Sequence, residues 1–467
     1  MGFTTLAFVL IIPLIVIAYY ICPDRMRPVF LLLISLLFGY SFLPGVLLPL
    51  CIISIVTYAL GIIISSRTRN KLLIFITGIG IIVLLMIFSR LNYTFWPAIG
   101  VSYYSLQAIS YLTDIYKGTL QAETNLIYFS LYISFFPRFL SGPIERAGDF
   151  LPQIREARKI PSYEMLKRAS VIILWGYFEK LVVADHASMI VTEIFDTYQT
   201  QHGYILIVGA VLYAIQLYAD FDGYSNIALG IAALFGFQIT NNFRRPYFAV
   251  SISEFWHRWH ISLSNWLRDY IYIPLGGNRK GKIRQYLNLL ITFGISGIWH
   301  GSGMKYLVWG MLHAFYQIMG KILKPCRNKI RNIFHITKNN FMIRIFQCLG
   351  VFILVDFAWV FFRASSLHEA LGYLYYTVVN FIPDETVNYN IMRLNIDLSI
   401  YITLIWGIIT LLTGDLIRGK CGNVISVLSK LNVIIRWGIY LFIVGLIMCS
   451  VLQRYGMDTS GFLYAQF

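Results

Sequence analysis

Two tryptophan-histidine pairs stand among apolar segments: Trp259-His260 closes the run Glu254-Phe-Trp-His-Arg-Trp-His260, and Trp299-His300-Gly301 follows further along. Ionisable side chains at membrane depth are costly, and chains keep them there for a partner, a proton path or a substrate. Imidazole suits proton transfer, because its unperturbed pKa of about 6.5 lies close to working pH. Two such groups can divide the work, one taking a proton while the other orients that proton or the carbonyl under attack. His300 ends the apolar run Ile291–His300 and precedes Gly301-Ser-Gly303. Glycines beside a histidine permit close approach of a ligand or of another backbone.

Each of these residues also has a plainer reading. His257 and His260 are three apart and would share a face of one helix, with Arg258 and Glu254 near enough to hydrogen-bond. Their tryptophans could equally form an interfacial aromatic belt whose polar atoms reach water. His300 could be a satisfied core histidine. Four of the eight histidines, His257, His260, His300 and His313, fall close together, which raises a metal or haem site as a rival. The spacing supports it poorly: there is no H-E-x-x-H and no Cys/His run, so no metal is assigned. No serine or cysteine sits in a nucleophile elbow. A catalyst of this kind would activate a hydroxyl brought by something else.

The segments that must position these groups are mostly oil. Of 467 residues, 58% are hydrophobic and only 13% charged, and the mean hydropathy is +0.67. Such values lie far from soluble averages and indicate a polytopic membrane protein. The formal charge of +16 could suggest nucleic acid, but Lys and Arg lie in short loops between apolar runs, as the positive-inside rule produces. No nucleic-acid partner is expected; membrane lipid is. Six cysteines without a CxxC or close pairing argue for neither a disulfide framework nor a zinc site. The first apolar stretch lacks a basic n-region and a small-x-small cleavage site, and reads as a retained span.

Apolar stretches near 3–21, 28–43, 45–66, 71–90 and 93–113 approach the roughly 20 residues needed to cross a bilayer core. Pro44-Gly45 is a turn or a kink. Further runs at 170–184, 204–219, 287–300, 304–323, 343–362, 367–382, 398–417 and 431–452 bring the expectation to about ten to twelve transmembrane helices in an all-α polytopic protein. Residues 1–467 are read as one integral-membrane domain, with N-terminal helices over 1–113, a catalytic core over 125–323 and C-terminal helices over 343–467. The basic loops at Arg67–Lys71, 155–168, 279–284 and 321–344 are placed on the cytoplasmic side.

Three segments break the apolar pattern. Phe135-Phe-Pro-Arg138-Phe-Leu-Ser-Gly-Pro-Ile-Glu145-Arg146 carries two prolines and three charges, and backbone broken at that depth must be shielded by protein or line a wet cavity. Asp220-Phe-Asp222-Gly-Tyr-Ser-Asn226 places two carboxylates and an amide at an expected helix end or re-entrant turn. The stretch 238–286, with Asn242, Arg258, Arg268 and Asp269, is too polar for a span and too aromatic for a loop; one or two interfacial or re-entrant helices are expected.

The run from Glu254 through Arg268-Asp269-Tyr270 to Pro274-Leu-Gly-Gly277-Asn-Arg, followed by Trp299-His300-Gly301, resembles the membrane-bound O-acyltransferase family. It is most similar to the branch holding the membrane subunits of alginate and peptidoglycan O-acetylation. Arg138-Phe-Leu-Ser-Gly-Pro143-Ile-Glu-Arg146, Asp220-Phe-Asp222-Gly-Tyr-Ser and Asn242-Phe-Arg-Arg-Pro-Tyr247 extend the resemblance over most of 100–320. It implies tilted and broken helices around a central tunnel, with His300 catalytic and His260 a second tunnel residue. Trp259, Trp299, Arg258, Arg268, Asp269, Asp222, Asn242 and His313 are the further candidates for lining that tunnel or meeting substrate; His313 can equally be structural.

The carboxyl end, Ser460-Gly-Phe462-Leu-Tyr464-Ala-Gln-Phe467, resembles the tail of envelope O-acylation systems in which a tyrosine receives the acyl group. The longer form of that tail has a further Phe where Met457 stands here. The resemblance implies acetyl-CoA as acyl-donor substrate, no tightly bound cofactor, and entry from the basic cytoplasmic face. His300 would act as general base on the Tyr464 hydroxyl, whose pKa of about 10 makes it a poor nucleophile unaided. A separate extracytoplasmic SGNH esterase-like partner would place the acetyl group on a glycan, and the protein would sit in the bacterial inner membrane. D-alanyl transfer to teichoic acid, or a transporter with the same broken helices, are the alternatives.

Overall fold

The computed structural model describes residues 2–66, 70–91, 100–139, 141–156, 160–333, 340–381, 387–388, 390–394, 396–421 and 424–454. The chain is all-α: among the described residues the sole β-type feature is one isolated bridge, Gln201 with Asn388. Helices satisfy their backbone groups internally, as lipid demands. Seven described helices are long and apolar enough to cross a membrane, and Leu6–Ile21 is a shorter apolar one. That is fewer than the ten to twelve read from apolar runs, because several of those runs fold into helices that are shorter or more polar than a lone span requires. Contacts sort the chain into two compact units that interleave along the sequence.

The first unit holds the described parts of Met1–Tyr177 together with Gly223–Asn241. Its helices are α1 (Leu6–Ile21), α2 (Arg27–Phe42), α3 (Leu47–Ser65), α4 (Lys71–Leu91), α5 (Val101–Tyr116), α6 (Leu126–Ser134), α7 (Ala147–Arg155) and α8 (Tyr163–Tyr177). Pro44–Val46 is a 3-10 turn joining α2 to α3, so the Pro-Gly pair ends a helix instead of kinking one. Arg27 closes the end of α1, donating from Nε to Tyr19 O at 3.1 Å and Cys22 O at 3.0 Å, and so occupies carbonyls that have no helical partner. Helices α6 and α7 have 9 residues each, too few to cross, and the proline-broken segment lies between them. That segment is shielded by protein: Phe135 and Phe136 are buried, Phe136 N donates to Ser35 Oγ at 3.1 Å, and the buried Arg138 guanidinium lies 4.2 Å from the Phe150 ring centroid.

The second unit holds Phe178–Asp222 and the described residues from Asn242 onward. A π-helical stretch, Phe178–Ala184, precedes α9 (Asp185–Asp196) and α10 (Gly203–Leu234), whose last turns belong to the first unit. Then come α11 (Ile252–Arg258), α12 (Ile261–Leu267), α13 (Lys282–His300), α14 (Met304–Ile322), α15 (Lys324–Ile333), α16 (Phe341–Arg363), α17 (Leu367–Val379), α18 (Leu398–Cys421), α19 (Val424–Lys430) and α20 (Val433–Gln453). Asp220, Asp222 and Asn226 do not mark a helix end or re-entrant turn; they lie inside the continuous 32-residue α10. The polar residues break the apolar pattern without breaking the helix because charges from distant segments meet them. Lys180 Nζ lies 2.6 Å from Asp220 Oδ1 and 2.9 Å from Asp185 Oδ1, and Arg454 pairs with Asp185. Arg418 Nη1 approaches Asp222 Oδ2 at 3.5 Å.

Candidate active site

The first Trp-His pair sits at a break in the backbone. Ser251 caps α11, accepting from Glu254 N at 3.1 Å, while Glu254 reaches back to accept from Val250 N at 2.9 Å. This reciprocal arrangement starts the helix. It ends at Arg258, and His260 takes a left-handed conformation, φ 42° and ψ 56°, before α12 begins. His257 and His260 therefore do not share a helix face, contrary to their spacing. His257 is exposed and its Nδ1 lies 2.6 Å from Ser253 O, whereas His260 is buried.

Asn242 holds this break in place. Its carbonyl accepts from Ile261 N at 3.0 Å and its Oδ1 accepts from Ser262 N at 3.1 Å, so a residue well upstream caps α12 where His260 offers no side-chain cap. A left-handed non-glycine residue costs roughly 1–2 kcal/mol, and these bonds help to hold it. The His260 ring packs edge-on to Phe221, 4.6 Å between centroids. Burial pushes its pKa down from the ordinary 6.5 to about 3, so the imidazole is neutral at any physiological pH.

The second pair is positioned by helix packing. His300 is the last residue of α13, and Gly301 follows in extended backbone. Helices α13 and α14 approach so closely that a Cβ at Gly297 would overlap Tyr306 O, and one at Gly310 would overlap Phe293 O. A Cβ at Gly301 would strike the Tyr306 ring. The glycine after His300 thus admits a neighbouring side chain of the same unit. Around the His300 ring stand Trp299 at 4.7 Å, Trp309 at 5.0 Å and Phe362 at 5.2 Å, all edge-on or nearly so.

Trp299 is the shared element. It lies 6.4 Å from the His260 ring and 4.7 Å from that of His300, so one indole touches both imidazoles. Trp259 packs elsewhere, stacked on Phe255 at 5.5 Å and edge-on to Phe243 at 5.0 Å; it supports the break and faces neither ring in the way Trp299 does. His313 is buried on α14, where its Nδ1 accepts from Trp256 Nε1 at 3.3 Å.

The remaining candidates separate into two groups. Asp222 is buried and ion-paired with Arg418, one residue from Phe221, which touches His260. Arg258 pairs with Glu254 and is partly exposed. Arg268 and Asp269 pair with each other at 2.8 Å with half and a third of their side chains open to solvent, and so stand apart from the buried aromatic cluster. Tyr464 lies outside the described residues. Sequence reasoning does not single out Trp309 or Phe362, which complete the box around His300, nor Lys180 and Arg418, the counter-charges of α10. An aromatic residue in an apolar helix has no distinguishing spacing, and Phe362, Asp220 and Asp222 meet partners from other elements.

Among the described residues no three His, Cys, Asp or Glu side chains group to hold a metal ion. What the arrangement offers is two buried imidazoles packed among aromatic rings, on a polytopic helical frame. Such an arrangement suits a membrane enzyme that uses histidine in group transfer. Residues 120–361, which include Asp222, Asn242, His260, His300 and His313, match the model of the membrane-bound O-acyltransferase family, and the chain belongs to that family. It is 32% identical to a probable alginate O-acetylase of Pseudomonas fluorescens, over 80% of this chain and 74% of that protein. A probable alginate O-acetylase of Pseudomonas syringae is 35% identical over 61% of this chain and 52% of its own length. A peptidoglycan O-acetyltransferase of Helicobacter pylori is 33% identical over 59% and 56%. In the latter two alignments the chain spans about half the relative's length.

Proposed function

We propose that this protein is the membrane acetyltransferase of a cell-envelope polysaccharide O-acetylation system, using acetyl-CoA as donor. The observation that carries the reading is the convergence of His260 and His300 on Trp299 inside the family-matched segment. His300 takes the proton of the acceptor hydroxyl, and the freed oxygen attacks the thioester carbonyl. CoA leaves as thiolate and recovers the proton from His300, so the step is neutral overall. Neutral His260 orients the acceptor or its proton. The aromatic walls exclude water, which would otherwise compete as acceptor and divert transfer into hydrolysis.

The acceptor in this reading is Tyr464, and the acetyl group then passes to an extracytoplasmic esterase-like partner that esterifies the glycan. The relatives named for alginate and peptidoglycan acetylation support a polysaccharide as final acceptor. The site of action is the bacterial inner membrane, with the basic loops facing the cytoplasm, where Lys and Arg meet the phosphates of CoA. The test uses the purified full chain with radiolabelled acetyl-CoA, following free thiol and acetyl ester on the tail peptide. Wild type is expected to give both, and His300→Ala neither. Acetyl ester formation at the wild-type rate in His300→Ala would sink the proposal; Tyr464→Phe, which deletes only the hydroxyl, tests the tail as acceptor separately.

A further inference from the structure

Acyl transfer needs a proton acceptor and also something to hold the negative charge that builds on the carbonyl oxygen. Trp309 and His313 lie one turn apart on α14, with side chains 1% and 0% exposed. Trp256 donates its indole N–H to His313 Nδ1 at 3.3 Å. A ring nitrogen that accepts carries no proton, so neutral His313 has its proton on Nε2 and presents it as a donor. Neither that Nε2–H nor the Nε1–H of Trp309 meets an acceptor among the described residues. Buried donors are ordinarily satisfied, and one left without an acceptor forfeits the bond that water gave it. Here two occur on adjacent turns of one helix face.

Their location gives them a use. The Trp309 ring lies 5.0 Å from that of His300 and 5.1 Å from that of His313. Close approach at Gly297 and Gly310 packs α14 against α13, whose last residue is His300, so donors and base are carried on two tightly packed helices. Donors held rigid in a dry site, before any charge has formed, are what stabilises an oxyanion most effectively.

The geometry points to Trp309 Nε1 and His313 Nε2 as the hydrogen-bond donors for the acyl thioester's carbonyl oxygen. This rests on His300 being the base of the proposed transfer. When the acceptor oxygen attacks, its lone pair forms the new C–O bond and the C=O π pair moves onto oxygen, where both N–H groups meet it. When that pair returns, the C–S bond breaks and CoA thiolate leaves with the proton held on His300. Trp309 and His313 exchange no proton; Trp256 keeps His313 in the donating tautomer.

The test measures thiol release from acetyl-CoA by the full-length protein in detergent. Trp309→Phe removes the indole N–H and keeps an aromatic ring; His313→Leu removes the imidazole donor. Each is expected to lower kcat about 10²–10³-fold with KM changed less than about threefold. His313→Gln keeps an oxygen for Trp256 and an N–H for the substrate, and should hold kcat within about tenfold of wild type. Wild-type kcat in Trp309→Phe or His313→Leu overturns the assignment of that donor, and so does a loss seen in KM alone. A folded His313→Gln as slow as His313→Leu also overturns it. Should His313→Leu fail to extract as a single species, Trp309→Phe and His313→Gln decide. His300→Ala run alongside separates the two readings: full activity there removes the base itself, whereas an inactive His300→Ala beside fully active donor variants removes only the donors.

Discussion

The two Trp-His pairs look alike as strings and are built by opposite means. His260 stands on a left-handed break between two 7-residue helices, secured from a distance by Asn242. His300 stands at the end of a 19-residue helix whose neighbour is pressed against it through glycines. One histidine is held by hydrogen bonds against backbone strain, the other by close packing without strain. Trp299 packs against both rings. A local backbone exception positions His260, and a closely packed helix pair positions His300.

That contrast can be attacked in order of expected effect. His300→Ala should cut acetyl transfer about 10²–10⁴-fold, the range general-base removal commands, with undiminished membrane insertion by fractionation. Equal activity would erase the distinction between the pairs. Gly297→Leu forces side-chain atoms into Tyr306 O and should destabilise by more than the roughly 1–3 kcal/mol usual for overpacking, read as a lower unfolding temperature in detergent. A neutral result would mean that helix packing does not set His300.

For the strained pair the expected signs differ. His260→Gly suits the left-handed backbone and should fold well while transferring acetyl more slowly. His260→Val lacks the ring and also resists φ 42°, so it should be less stable than His260→Gly by about 1–2 kcal/mol. Similar stability for the two would show that the break is not strained. Because burial keeps His260 neutral above about pH 3, neither variant should move the acid limb of the pH-rate profile between pH 5 and 8; a shifted limb would give His260 the proton role. Smallest of all, Arg268→Ala should change stability by less than about 1 kcal/mol, as exposed ion pairs do, and leave the rate alone.

Features that act through neighbours along the chain are legible in its spacing: the apolar run ending at His300 and the glycines after it. The common face expected of His257 and His260 fails because its premise is one continuous helix. The carbonyl and amide that secure the break come from Asn242, and no periodicity within 254–260 reports them. Asp220 and Asp222 mislead in the same way: a helix carrying two carboxylates through an apolar stretch depends on Lys180 and Arg418, which lie on other elements. Trp309 and Phe362 escape notice because an aromatic residue in an apolar helix has no distinguishing spacing until a histidine packs on it.

The ion pairs around α10 have a consequence for biosynthesis. Lys180 pairs with both Asp185 and Asp220, and Arg454, far along the chain, adds a second cation at Asp185. During translation, Asp185 and Asp220 are therefore made long before Arg454. The ribosome must pass residue 454 before this group of ion pairs is complete. A nascent chain arrested between residues 220 and 454 would carry Asp185 without its second cation, a chemical difference between unfinished copies and finished ones.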